Sequence, residues 1–245
     1  MHQFIADSTF QVQCADSLGS GFSFIRKNIV VTNFHVVAPF VDIEAKKSLG
    51  TPMLTCEDGT ILSSSIINVD NKNDFAILKI DGELPVGRNI LQPKEDLCLR
   101  RGSKVIFSGY PHGIPHLLTS EAIISSIMDN GRFYLDGMVN GGNSGGPIID
   151  AITGELVGIV TQRRFMGGEE AKRLYEEAEH IRQHLHIAKQ QGSAVLMGVN
   201  FGEFASMLSS ALQLITNMMN NNANSGIGIG FPVSDIIRII NSTAE

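Results

Sequence analysis

Three residues of this 245-residue chain have the types and settings that acyl-transfer chemistry requires. Gly142-Asn143-Ser144-Gly145-Gly146 puts a serine in a glycine-rich turn, where its hydroxyl can be presented and backbone N–H groups can approach a carbonyl closely. A serine hydroxyl is a weak nucleophile without a base, and His35 is the candidate base, expected at the end of the apolar strand that begins at Ile29. Asp74 immediately precedes Phe75-Ala76-Ile77-Leu78-Lys79-Ile80, a strand that would hold its carboxylate against the imidazole. In this scheme His35 takes the hydroxyl proton, Asp74 fixes the ring tautomer and stabilises the imidazolium, and Ser144 attacks the carbonyl carbon. Asp70 and Asp81 lie nearby, but neither adjoins the start of the strand, and both read as turn residues.

The elements around these residues decide between two folds. The same five residues satisfy the GxSxG pattern of α/β-hydrolases, in which a helix follows the serine and the histidine comes last. Here Pro147-Ile148-Ile149-Asp150 reads as a strand, and His180, His184 and His186 lie on an amphipathic helical pattern. The order His, Asp, Ser is therefore preferred. From Thr9 to Asp150, short apolar or alternating runs are separated by Asp58-Gly59, Asp81-Gly82 and Asn130-Gly131, which predicts an all-β antiparallel barrel or sandwich. The texture then changes. Ala171, Leu174, Tyr175, Ala178, Ile181, Leu185 and Ala188 recur at helical spacing, as do Phe201, Phe204, Leu208, Leu212, Ile215 and Met219, which predicts an αα-hairpin insert over 165–224. A Gly226–Val233 strand and a short helix close the chain.

Gly19-Ser20-Gly21-Phe22, Val31-Thr32-Asn33-Phe34-His35-Val36-Val37, Asn73-Asp74-Phe75-Ala76-Ile77-Leu78-Lys79, Gly142-Asn143-Ser144-Gly145-Gly146-Pro147 and Gly226-Ile227-Gly228-Ile229-Gly230-Phe231 together resemble the trypsin-like, chymotrypsin-fold serine proteases of the HtrA/Deg type. The resemblance implies two packed antiparallel β-barrels. They would comprise roughly residues 1–95 and 96–164 with 225–245, in one domain carrying the helical insert. It implies a serine endopeptidase whose oxyanion hole is the N–H groups of Gly142 and Ser144. It also places the substrate's P1 side chain between Met138, Val139, Asn140 and Gly141 on one side and Val160, Thr161 and Gln162 on the other. No Asp or Glu lies in either segment, so a buried Lys or Arg would lack a partner, and an apolar P1 residue is expected. Glu169, Glu170, Glu176 and Glu177 of the insert are the acids whose approach would reverse this. The familiar PDZ domain of that family is not recognisable in the sequence.

Bulk properties exclude other classes. A net charge of −6 with scattered Lys and Arg gives no footprint for nucleic acid, and no stretch approaches the roughly 20 apolar residues of a membrane span. Met1 to Gln13 lacks the pattern of a signal peptide, and Cys14, Cys56 and Cys98 are odd in number and far apart, so a reducing, cytoplasmic location is expected. His180 and His184 have the spacing of a zinc pair without a third ligand, and no metal or cofactor is expected. His112 and His116 read as loop residues. The partners expected are a protein or peptide substrate and a regulatory protein docking on the helical insert.

Overall fold

The computed structural model describes residues 1–45, 47–94, 99–112, 114–163, 168–190, 195–196, 199–222 and 226–242. A short helix α1 (His2–Ala6) precedes β1 (Thr9–Cys14), β2 (Ser17–Ser23) and β3 (Ile29–Thr32), then the single-turn helix α2 (Phe34–Val37). A small hairpin, β4 (Val41–Asp42) and β5 (Lys47–Ser48), leads to β6 (Met53–Thr55), β7 (Ile61–Asp70) and β8 (Phe75–Ile80). Apart from that hairpin, these strands close into an antiparallel barrel in the order β1-β2-β3-β8-β7-β6. The second half supplies β9 (Lys104–Gly109), β10 (Leu118–Ile127), β11 (Phe133–Asp136), β12 (Pro147–Asp150) and β13 (Leu156–Arg163). After the helical segment, α3 (Gly168–Gln190), β14 (Val195–Leu196), β15 (Val199–Asn200) and α4 (Phe201–Asn222), the chain returns as β16 (Ile227–Pro232) and α5 (Ser234–Ser242). The second barrel closes as β10-β11-β16-β13-β12-β9.

Strand side chains alternate between faces, and both faces of several strands are buried. On β8, Ala76, Leu78 and Ile80 point into the first barrel's core with Phe10, Val12 and Leu54. Phe75 and Ile77 join a separate core with Phe22, Phe24, Ile149, Ile159 and Phe231, drawn from both barrels. β9 does the same from the other side, with Val105 and Phe107 inside the second barrel and Ile106 in the shared core. This is why the chain reads as continuous apolar runs at Ile29 to Val31 and Phe75 to Leu78 instead of alternating. Ile5 of α1 and Ile236 and Ile240 of α5, one helical turn apart, close the shared core. Gly230 is required by packing, because a Cβ there would sit 2.3 Å from the Phe133 ring.

The chain divides into two compact units, Met1–Arg164 with Gly226–Glu245, and Phe165–Ser225. In the second, α3 and α4 pack on each other, and β14 pairs with β15 through Val195 and Asn200. Several apolar side chains of α4 are exposed, among them Phe204 (55%), Met207 (74%) and Leu214 (64%).

Candidate active site

β3 ends at Thr32, and Asn33 stays extended (φ −77°, ψ 152°) before α2 begins. Phe34, Val36 and Val37 turn inward, which leaves His35 outward with 47% of its side chain exposed. The strand expected to reach His35 therefore stops short, and the histidine sits on a turn of helix. A short apolar run fits a strand or a buried helical turn, and burying three of these four side chains along one arc selects the turn.

Asp74 precedes β8 with a left-handed backbone (φ 51°), which aspartate tolerates better than most residues. Asn33 Nδ2 donates to the Asp74 carbonyl at 2.7 Å, so the residue ahead of α2 also fixes the aspartate backbone. The Asp74 carboxylate accepts the His35 main-chain N–H at 3.0 Å and faces His35 Nδ1 at 2.9 Å. Thr161 Oγ1 donates to the same carboxylate at 2.6 Å. Burial pushes the Asp74 carboxyl up, but the donors His35 and Thr161 and the charge of the imidazole outweigh it and hold the group below the usual aspartate value. An ionised carboxylate on Nδ1 keeps the proton there and leaves Nε2 free to accept one.

Ser144 lines the same cleft as His35 and Asp74, a hollow of about 610 Å³ that also contains Thr161, Asn140 and Gly141. Its hydroxyl donates to the Thr161 carbonyl at 3.2 Å, and among the described residues no hydrogen bond joins it to His35. The expected link from base to nucleophile is thus absent among the described residues, because the serine hydroxyl donates to the Thr161 carbonyl instead.

The turn before Ser144 is defined by its backbone. Asn143 N–H donates to the Asn140 carbonyl at 3.1 Å and Gly142 has φ 93°, the pattern of a type II turn with glycine at its third position. A Cβ on Gly142 would lie 2.2 Å from the Tyr110 carbonyl, so both conformation and space require glycine. The Gly141 carbonyl accepts from the His112 N–H at 2.7 Å, and the Gly142 carbonyl accepts from Ser20 Oγ at 2.7 Å. Among the described residues, neither Gly142 N–H nor Ser144 N–H has an acceptor. Gly142 is buried, and a buried donor without an acceptor is costly, so these two N–H groups are suited to an anionic oxygen brought by a ligand.

Of the expected pocket residues, Asn140, Gly141 and Thr161 line the cleft. Met138 is 63% exposed and absent from that lining. Val139, in the segment after β11, and Val160, on β13, both expected as pocket walls, are instead 1% and 0% exposed in the second barrel's core. The Gln162 side chain lies outside the described part of the structure. Thr161 has a second role that the sequence reading missed, as donor to Asp74, and a hydroxyl on the strand after the nucleophile turn was the available signal. His112 was also missed, and nothing in its sequence setting marks it. Among the described residues no group of three or more His, Cys, Asp or Glu side chains could hold a metal. The His180 and His184 rings lie 4.3 Å apart, with His184 Nδ1 on the His180 carbonyl.

The family model of the trypsin-like peptidase domain matches residues 19–159, more than half of the chain. The chain belongs to the trypsin-like peptidase domain family. A probable periplasmic serine endoprotease DegP-like of Pseudomonas fluorescens is 35% identical over 156 residues, 60% of this chain and 30% of that protein. Protease Do-like 1, chloroplastic, of Arabidopsis thaliana is 33% identical (58% of this chain, 32% of that protein), and serine protease HTRA1 of Xenopus tropicalis is 32% identical (62% and 33%). A crystal structure of the serine endoprotease from Yersinia pestis matches with a TM-score of 0.56 at 25% identity, covering 66% of this chain and 56% of that one. The HtrA-type protease AlgW with tripeptide matches in fold, with a TM-score of 0.65 at 19% identity over 99% of this chain and 62% of that one. The chain is similar to serine proteases of the HtrA type and shares their double-barrel fold. The chain spans about a third of the length of the curated relatives it matches.

These relatives overturn the cytoplasmic expectation. Those of Pseudomonas fluorescens, Halomonas elongata and Rickettsia conorii are all named periplasmic. The cysteine argument fails for a physical reason. Cys14 and Cys56 are buried in the first barrel, where desolvation pushes the Cys14 thiol up to about 12 and raises that of Cys56 as well. Buried thiols with raised pKa values are inert on either side of a membrane, so their number says nothing about redox compartment. Cys98 lies outside the described residues.

Proposed function

We propose that this domain cleaves peptide bonds in protein substrates, with Ser144 as nucleophile, His35 as general base and then acid, and Asp74 as the carboxylate that orients the ring. The observation that supports the reading best is the His35–Asp74 pair, 2.9 Å apart, facing one cleft with Ser144 and with two N–H groups that lack acceptors among the described residues. On substrate binding the Ser144 hydroxyl turns from the Thr161 carbonyl to His35 Nε2. Nε2 removes its proton as Oγ bonds to the scissile carbonyl carbon, and the Gly142 and Ser144 N–H groups hold the resulting oxyanion. His35 then gives that proton to the departing amine, leaving an acyl-serine, and water repeats the sequence in reverse to release the acid.

The P1 side chain is proposed to be apolar. Among the described residues Asp74 is the one acid lining the cleft, it is engaged by His35 and Thr161, and the other charges there are Lys72 and Arg132. A basic P1 side chain would enter without a partner. Location outside the cytoplasm follows the naming of the periplasmic relatives. The exposed apolar residues of α4 favour a regulatory protein docking on the helical segment.

Covalent labelling by a fluorophosphonate tests the reading. The intact chain should label at one site and Ser144→Ala should not, while a peptide-library profile should show Val, Ile, Leu or Met at P1. Labelling that persists in Ser144→Ala rejects the nucleophile, and a profile dominated by Arg or Lys rejects the specificity.

A further inference from the structure

His112 touches the oxyanion turn in two ways and reaches the first barrel in a third. Its main-chain N–H donates to the Gly141 carbonyl at 2.7 Å. Its ring Nε2 donates to the Leu18 carbonyl at 3.0 Å, on β2 of the first barrel. Its ring also fills the space beside the glycine pair, since a Cβ on Gly141 would lie 3.1 Å from His112 Nδ1 and a Cβ on Gly142 would lie 2.7 Å from His112 Cδ2.

The peptide between Gly141 and Gly142 is the central peptide of this turn. Type I and type II turns differ by rotation of the central peptide, and two adjacent glycines offer little resistance to that rotation. In a trans peptide the carbonyl and the N–H point in opposite directions, so holding the Gly141 carbonyl also aims the Gly142 N–H. The next carbonyl, that of Gly142, is held separately by Ser20 Oγ, which itself accepts the Tyr110 N–H at 2.9 Å. The first of these two clamps depends on where the loop after β9 places His112, and the ring bond to Leu18 sets that position across the two barrels.

We infer that His112 is a positioning residue that keeps the Gly142 N–H aimed for oxyanion binding by tying the turn of the second barrel to strand β2 of the first. The inference rests on the peptidase reading given above, and it assigns no contact between His112 and the reacting atoms. A rotated Gly141–Gly142 peptide removes one of the two oxyanion donors, and losing one such donor typically costs about 10²–10³ in rate. Loosening the clamp should give part of that loss.

The test compares His112→Ala with His112→Gln, whose amide keeps an N–H donor at similar reach. His116→Ala, a change in the same loop, serves as control. His112→Ala should lower kcat about tenfold with KM within twofold of the unmodified chain, and fluorophosphonate labelling should slow in parallel. His112→Gln should recover most of both. In the Ser144→Ala background, ¹⁵N relaxation dispersion at the Gly142 amide should show exchange with His112→Ala and none with His112 present. Unchanged kcat and a quiet Gly142 amide in His112→Ala would overturn the inference. Equal losses in the Ala and Gln variants with a lowered melting temperature would also overturn it, as the mark of a merely structural residue. If the unmodified chain fails to label at Ser144, the peptidase reading is what falls, and the amide measurement still decides whether His112 holds the turn.

Discussion

The two barrels contribute different kinds of chemistry to one cleft. The first supplies side chains, His35 on α2 and Asp74 ahead of β8, each held by hydrogen bonds to its backbone as well as to its functional atoms. The second supplies Ser144 and a backbone conformation, in which φ 93° at Gly142 decides where an N–H points. Side-chain chemistry is fixed once the residue type and its strand are fixed. Backbone chemistry is not, because one glycine peptide can face either way with no change of sequence. The difference is that the first barrel's pair is held by hydrogen bonds to its side chains, whereas the turn of the second is held at its carbonyls by Ser20 Oγ and the His112 N–H.

The largest expected effect removes the side-chain contribution. Ser144→Ala and His35→Ala should each lower kcat on a cleaved peptide by roughly 10⁶-fold, and the double variant should be little worse than either, as for residues acting as one unit. Additive losses in a steady-state comparison would mean that the two barrels do not act together. Gly142→Ala breaks the backbone contribution instead. Its Cβ meets the Tyr110 carbonyl at 2.2 Å and its φ is unfavourable for alanine, so the turn must shift. A loss of about 10²–10³ in kcat with little change in KM is expected, and a KM effect alone would contradict the assignment of the oxyanion donors.

The smallest effect concerns a bond that crosses from the second barrel to the first barrel's acid. Thr161 Oγ1 donates to Asp74 at 2.6 Å, and Thr161→Val should lower kcat about tenfold. Its pH signature is more diagnostic. Because the folded pKa of Asp74 is depressed, its ionised form stabilises the fold fully above the unfolded value of about 3.9, and that stabilisation is lost as pH falls through the lower folded value. Removing the Thr161 donor raises the folded value, so the variant should lose this stability at a higher pH than the parent. Denaturation midpoints measured from pH 6 down to pH 3 check it, and parallel profiles would show that Thr161 does not act on Asp74.

The same division governs what could be read from the sequence. His35, Asp74 and Ser144 were legible as candidates by type and order, and the strands by turn residues such as Asp81-Gly82 between apolar runs. The second-barrel core was legible less well. Val139 and Val160 looked like pocket walls because the faces of a short segment cannot be assigned until its register is known, and both proved fully buried. The helical turn at His35 was hidden by an apolar run that suits a strand equally. Nothing in the sequence revealed that Thr161 bonds to Asp74 across 87 positions or that His112 reaches Leu18 across 94, since such pairs exist only once both barrels are closed.

The bond from Ser144 to the Thr161 carbonyl also sets a limit on how much this domain could be quickened by freeing its serine. A neutral hydrogen bond contributes a net ~1 kcal/mol, so even with nothing gained at the base at least roughly one molecule in five to ten would have the hydroxyl turned toward it. Rotation of a side chain takes picoseconds to nanoseconds, far faster than turnover, so the idle fraction costs at most about tenfold and adds no delay. A hundredfold change in activity on adding an effector would exceed this ceiling and would have to come from something other than this rotation.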